Sequence, residues 1–162
     1  MKIDQFKQDS PLTIAKPEDL SKNIEIEGVK ISKLNQNQDG RGSLVELLSF
    51  RESVHEPIVH VYEVKAEKDS YRGFVYHKWQ KDRLAFTQGD FLILLEDVRE
   101  GSSTFGKKME IKAGIDNKIL LTIPEYVAHS VTNLGEMASF INMPTNFYNP
   151  ENPDKFRLNV NE

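Results

Sequence analysis

The chain has no cysteine in its 162 residues. That excludes a disulfide framework, a thiolate-held zinc and a thiolate nucleophile, and it fits an expected cytoplasmic location. No apolar run approaches the roughly 20 residues a spanning helix needs, so no membrane partner is expected. The opening MKIDQFKQDS has no apolar stretch, so no signal peptide is read there. Basic residues are scattered and the net charge is −4. Nucleic acid is therefore not an expected partner, because its phosphates reward clustered Lys and Arg. Also missing are G-x-G-x-x-G, the P-loop, G-x-S-x-G and H-E-x-x-H. Any chemistry must come from side chains that the fold gathers from separate segments.

What the sequence does hold is strand grammar. A hydrophobic content of 38% suits one globular domain, residues 1–162. Residues 1–23 are polar and read as an N-terminal extension, in which KPEDL opens one helical turn with Pro17 at its start. IEIEGVKIS alternates as a strand that breaks at Gly28, NQNQDGRG is a turn cluster, and SLVELLSF is a further strand. IVHVYEVKA, YRGFVYHKW, RLAFTQGDFLILLEDV (two strands hinged at Gln88-Gly89-Asp90), GKKMEIKAG, KILLTIP, VAHSVTN and ASFINMP continue the pattern. No stretch carries a long helical period. Many short strands between Gly, Asn and Asp turns predict an all-β sandwich or barrel, with its core in residues 24–143 and an irregular tail over 144–162.

Residues two apart on a strand share a face, so Gly73, Val75, His77 and Trp79 line up on one side and Arg72, Phe74, Tyr76 and Lys78 on the other. From Val75 the chain reads V-x-H-x4-D-x6-G, and later P-x-Y-x2-H-x3-N. These resemble the two cupin motifs, with Val75 in place of the first His, Asp82 in place of the Glu, and Tyr126 in place of a Gly. The resemblance implies a cupin-type jelly roll. DGRGSLVE, RGFVYH, QGDFLILLEDVREGSSTFGK, IPEYVAHS and PTNFYNP follow in order. Together they resemble the dTDP-4-dehydrorhamnose 3,5-epimerase family over about residues 36–151, and DVREGSSTFGK is the most specific block.

That resemblance implies a nucleotide-linked 4-keto-6-deoxy sugar as ligand, a metal-free and cofactor-free reaction, and a homodimer formed by exchanging strands. In such chemistry a base takes the proton next to the ketone, a tyrosine returns one from the opposite face, and cations hold the enolate and diphosphate. By resemblance Arg41 and Arg72 contact phosphate and sugar, Glu46 is the acid on its strand, His129 stands at the barrel mouth, and Tyr148 lies near the nucleotide base. The family's histidine falls on Val75 and its tyrosine on Asn142. Its lysine falls on Asp82, or on Arg83 if the loop shifts by one residue. Its C-terminal Asp, which orients the histidine, has no counterpart expected here. His77 is the remaining candidate base, one same-face step or about 6.6 Å from Val75. The expected site is thus His77 and His129 for catalysis, with Arg41, Glu46, Arg72, Asp82, Arg83 and Tyr148 for binding. Two alternatives stay open. One is a nucleotide-sugar-binding protein that does not turn its ligand over. The other is a metal-dependent cupin in which His77, Asp82 and His129 hold Fe(II) or Mn(II).

Overall fold

A computed structural model describes residues 15–49 and 56–158, together with Gln5, Lys7, Gln8, Ser10 and Pro11. Much of the opening segment read as free of a signal peptide lies outside the described residues. So do Phe50, at the end of SLVELLSF, and residues 159–162 of the tail.

The described chain is all-β, with no α-helix among the described residues. In chain order the strands are β1 (Glu18–Asp19), β2 (Lys30–Lys33), β3 (Gln36–Asp39), β4 (Gly42–Val45), β5 (Tyr62–Ala66), β6 (Tyr71–Tyr76) and β7 (Asp82–Phe86). They continue as β8 (Asp90–Asp97), β9 (Lys108–Gly114), β10 (Ile119–Ile123), β11 (Val127–Asn133), β12 (Ala138–Asn142) and β13 (Phe156–Arg157). A six-stranded antiparallel sheet runs β1-β2-β10-β7-β12-β5, and a five-stranded sheet runs β13-β6-β11-β8-β9. Hairpin β3–β4 stands apart from both.

Local chemistry explains where the observed elements differ from the sequence pattern. KPEDL forms no helical turn. Glu18–Asp19 pairs with the edge of β2 instead, and a 3-10 turn follows at Ser21–Asn23. A lone helical turn cannot recover its nucleation cost, whereas an open sheet edge offers ready-made hydrogen bonds. NQNQDGRG is not merely a turn but the greater part of hairpin β3–β4. Every residue of β3 is exposed, so no buried face imposes alternation on it.

The core lies between the sheets. Along β8 alternate residues Phe91, Ile93, Leu95 and Asp97 are buried, and the rings of Phe86, Phe91 and Phe140 meet at centroid distances of 5.1–5.7 Å. The same alternation that buries three apolar side chains also carries Asp97 inward, where a charge must find partners. It finds them within its own loop. Arg99 donates from its backbone N (3.0 Å), Nε (2.7 Å) and Nη2 (2.7 Å), Ser102 Oγ donates at 2.6 Å and Thr104 Oγ1 at 2.5 Å.

β7 is buried on both faces. Asp82, Leu84 and Phe86 face the interior, while Ala85 packs outward with Leu34 and Met143 under a cover that includes Leu47 and Leu48. β6 carries a bulge opposite β11. His129 pairs with Val75, but Val131 pairs with Arg72, so one extra residue is looped into β6. Gly73 occupies this bulge at φ +143°, and a Cβ there would stand 2.5 Å from Ser130 Cβ. The bulge corrects the simple parity of YRGFVYH, because it turns Arg72 to the same side as Val75.

Candidate functional site

A cavity of about 550 Å³ opens between the two sheets. One wall belongs to the five-stranded sheet: Arg72, Gly73 and Val75 of β6, His77 just beyond it, and His129 and Val131 of β11. The facing wall belongs to the six-stranded sheet: Tyr62 and Val64 of β5, Asp82 and Leu84 of β7, and Phe140 and Asn142 of β12. The C-terminal segment closes one side with Asp154, Lys155 and Arg157.

At the centre, the Nε2 atoms of His77 and His129 each stand 3.4 Å from the same carboxylate oxygen, Asp82 Oδ2. Asp82 is 4% exposed, and its other oxygen accepts from Gln80 Nε2 at 2.9 Å. Both Nδ1 atoms face backbone carbonyls, that of Asp154 for His77 and that of Val127 (3.2 Å) for His129. A carbonyl only accepts, so each Nδ1 carries its proton and each Nε2 is turned to Asp82. A neutral His77 ring would then aim a lone pair at the carboxylate, and the geometry favours a second proton between them. Burial disfavours charge on His77, but its hydrogen bond and attraction to Asp82, with help from Asp154, outweigh burial and raise its pKa above the usual 6.5. Burial likewise opposes the charge on Asp82. The hydrogen bonds from His129 and His77 overcome it and hold the carboxyl far below the usual range.

The tail is not irregular where it meets the site. Asp154 accepts from the backbone N–H groups of Lys78 and Trp79, each at 2.8 Å, while its carbonyl holds His77. Phe156 stacks on Tyr76 at 5.1 Å and lies under Lys78 Nζ at 4.2 Å. Arg157 Nη1 donates to Gly73 O at 2.8 Å. No counterpart of the family's C-terminal Asp was expected, and here the Asp154 backbone carbonyl contacts the His77 ring. Nothing in PDKFR signals this, because the contact depends on β13 pairing with β6.

His77, His129, Asp82, Arg72 and Tyr148 all line the cavity. Arg41, Glu46 and Arg83 lie outside the lining of this cavity. Arg83 follows Asp82 on a strand, so the residue that turns Asp82 inward turns Arg83 out. There its Nε donates to Met143 O (2.7 Å) and its Nη2 to Pro57 O (2.9 Å). Glu46 lines a separate hollow on that outer face, along with Lys81 and Arg83. Arg41 sits at the tip of hairpin β3–β4, 92% exposed and paired with Asp39 at 2.5 Å. Sequence reasoning missed Tyr62, Asp154, Lys155 and Arg157. Burial and the neighbouring Arg157 lower the pKa of Lys155. Among the described residues, no carboxylate lies within ion-pair distance of Arg72, Lys155 or Arg157.

A cupin-type jelly roll with an interior polar site is the class this architecture defines. The family model for dTDP-4-dehydrorhamnose 3,5-epimerase matches residues 23–162, and the chain belongs to that family. It is 37% identical over 134 residues to the spore coat polysaccharide biosynthesis protein SpsL of Bacillus subtilis, covering 82% of this chain and 89% of that one. It is 32% identical over 137 residues to dTDP-4-dehydrorhamnose 3,5-epimerase of Escherichia coli, covering 78% and 73%. In fold it is similar to the dTDP-6-deoxy-D-glucose-3,5-epimerase of Legionella pneumophila, crystallised with dTDP-4-keto-L-rhamnose. That match has a TM-score of 0.79 at 24% identity and covers 90% of this chain and 79% of that one. The family places the chain among epimerases of deoxysugar and polysaccharide biosynthesis.

Proposed function

We propose that this chain epimerises a dTDP-linked 4-keto-6-deoxyhexose by removing the proton next to the ketone, with His77 as the base. The observation that carries the reading is the pair of imidazoles converging on buried Asp82 inside the inter-sheet cavity. A carbon next to a ketone gives up its proton only to a positioned base and with the enolate stabilised. His129, sharing Asp82, stands beside His77 in the cavity. Arg72, Lys155 and Arg157 offer positive charge at the cavity edge for the diphosphate, and exposed Tyr148 offers a ring to the base.

Two other readings face this one. Val75 and Asn142 stand where the family resemblance puts a His and a Tyr, which favours a protein that binds the sugar nucleotide without turning it over. Incubating the protein with a dTDP-4-keto-6-deoxyhexose in D2O and following the carbons next to the ketone by NMR separates the two. Deuterium at either carbon is expected. Binding without deuterium would leave the chain a binding protein for that sugar. The second reading rests on ligand atoms of His77, Asp82 and His129 lying within 4.8 Å of one another. Two His and one carboxylate form a donor set that fits Fe(II) or Mn(II), and such an ion would supply Lewis acidity to the ketone oxygen. Elemental analysis decides it: a stoichiometric ion, and activity lost to a chelator, would replace the metal-free reading.

The pH dependence follows from the charge arrangement. The base must be free of its second proton, so exchange should rise with pH through the pKa of His77, above 6.5. Removing the neighbouring negative charge with Asp82→Asn leaves burial to dominate, which pushes an imidazole down. The rising limb should therefore move to lower pH, and an unmoved limb would assign the titration to another group.

A homodimer and a cytoplasmic location complete the proposal, with residues 1–162 as a single domain. Hairpin β3–β4 carries Leu44 at 64% exposure, and β5 is an open edge that follows exposed Ile58, Val59 and Val61. A second copy pairing there would cover both and bring a foreign Arg41 and Glu46 near a cavity. Sedimentation as a monomer at micromolar concentration would overturn the dimer.

A further inference from the structure

Inversion at a carbon needs a proton removed from one face and another delivered to the opposite face. We propose that Tyr62 is the acid that delivers it, a role this chain has moved across a strand pair from β12 to β5. The inference rests on the epimerase reading above and deepens it.

The register makes the exchange of roles local. Asn142 of β12, where the family resemblance places a tyrosine, pairs directly with Tyr62 of β5. Cross-strand partners project to the same side of a sheet with their Cβ atoms about 5 Å apart. A phenol lost from one strand can thus be replaced from the other with little change in the place its oxygen reaches. Both residues line the cavity. They stand on the six-stranded wall, while His77 and His129 approach from the five-stranded wall. A sugar ring held between the sheets would have imidazole on one side and phenol on the other.

The hydrogen bonding agrees. Asn142 Nδ2 donates to Tyr62 Oη at 2.8 Å, so the phenol oxygen accepts and its own proton is left for a substrate. The other amide atom, Asn142 Oδ1, is buried without a partner among the described residues. Burial, then the negative charge of Asp82, raises the phenol pKa above 10, against the opposing bond from Asn142. Tyr62 therefore holds its proton at neutral pH, as a donor must.

The step balances without a cofactor. His77 Nε2 takes the proton from the carbon, and the C–H electron pair forms the enolate. The enolate carbon then takes the Tyr62 proton on its other face as the ketone re-forms. Solvent reprotonates the phenolate and deprotonates the imidazolium.

The test compares wild type with Tyr62→Phe in D2O, reading deuterium incorporation and inverted sugar separately. Tyr62 is 39% exposed, so its hydroxyl is removable without opening the core. In the variant, His77 can still remove a proton and return a deuteron on one face. Exchange should persist within a few-fold, while inverted product falls by about 100-fold or more. Inversion at the wild-type rate would overturn the assignment to Tyr62 and leave the epimerase reading intact. Loss of exchange and inversion together would also overturn it, by tying Tyr62 to the first step. Absence of exchange in wild type would instead remove the reaction itself, and the inference with it.

Discussion

His77→Gln should abolish detectable deuterium incorporation into a dTDP-4-keto-6-deoxyhexose, a fall of about 1,000-fold, with the sugar nucleotide still bound. General-base catalysis contributes on the order of 10²–10⁴-fold, and neither cavity neighbour of His77, Val75 or His129, is placed to take over. Val75 is apolar. His129 holds Asp82 from the neighbouring strand, with its ring centroid 5.8 Å from that of His77. A base displaced by several ångströms loses the contact of about 3 Å that proton transfer requires. Glutamine keeps the length and polarity of the side chain, so the fold and the Arg72, Lys155 and Arg157 edge should survive. The measurement is exchange rate by NMR beside a dissociation constant for dTDP. Undiminished exchange in the variant would move the base elsewhere, with His129 the next residue to change.

Asp97→Ala should cost about 3 kcal/mol of folding stability or more, the effect expected when one partner of a buried ion pair is removed. The Asp97 side chain is fully buried, and Arg99 beside it is only 24% exposed. Without the carboxylate, the guanidinium and the hydroxyls of Ser102 and Thr104 lose their common acceptor. Burial opposes ionisation of Asp97, but the bonds from Arg99, Ser102 and Thr104 win and hold its pKa well below the usual carboxylate range. Stability from this group is therefore present above about pH 4 and is lost as pH falls through the depressed pKa. The check is the denaturant midpoint of the variant at pH 7, at unchanged slope. A midpoint within error of wild type would mean that the loop re-forms its bonds around water. Asp97 lies outside the cavity, so exchange by the folded fraction should be unchanged.

That loop also shows what the sequence could disclose and what it could not. DVREGSSTFGK identifies the family, yet the string does not say why those residues go together. The reason is that β8 alternation carries a carboxylate inward, and the next seven residues supply its donors. His77, Asp82 and His129, from three separate segments, were legible because they fall at positions of the two cupin-like motifs V-x-H-x4-D-x6-G and P-x-Y-x2-H-x3-N. Arg83 was not, because a one-residue choice of register decides whether it meets the cavity or the outer cover. Tyr62 lies 80 residues from Asn142, and no local pattern encodes a strand pairing over that distance. Asp154 sits in a Pro- and Asn-rich run whose composition reads as loop, and its role appears only when β13 joins β6.

On the proposed reading, the same short segment, Asp154 to Arg157, that contacts the His77 ring would also carry cations for the diphosphate. Affinity and reactivity would then not be separate properties of this protein. A diphosphate that drew Lys155 and Arg157 inward would also tighten the tether on His77, many bonds from the carbon that reacts. Part of the nucleotide's binding free energy would be expressed as barrier lowering rather than as occupancy. A bare keto sugar, even at saturation, would meet a base that nothing has drawn into place.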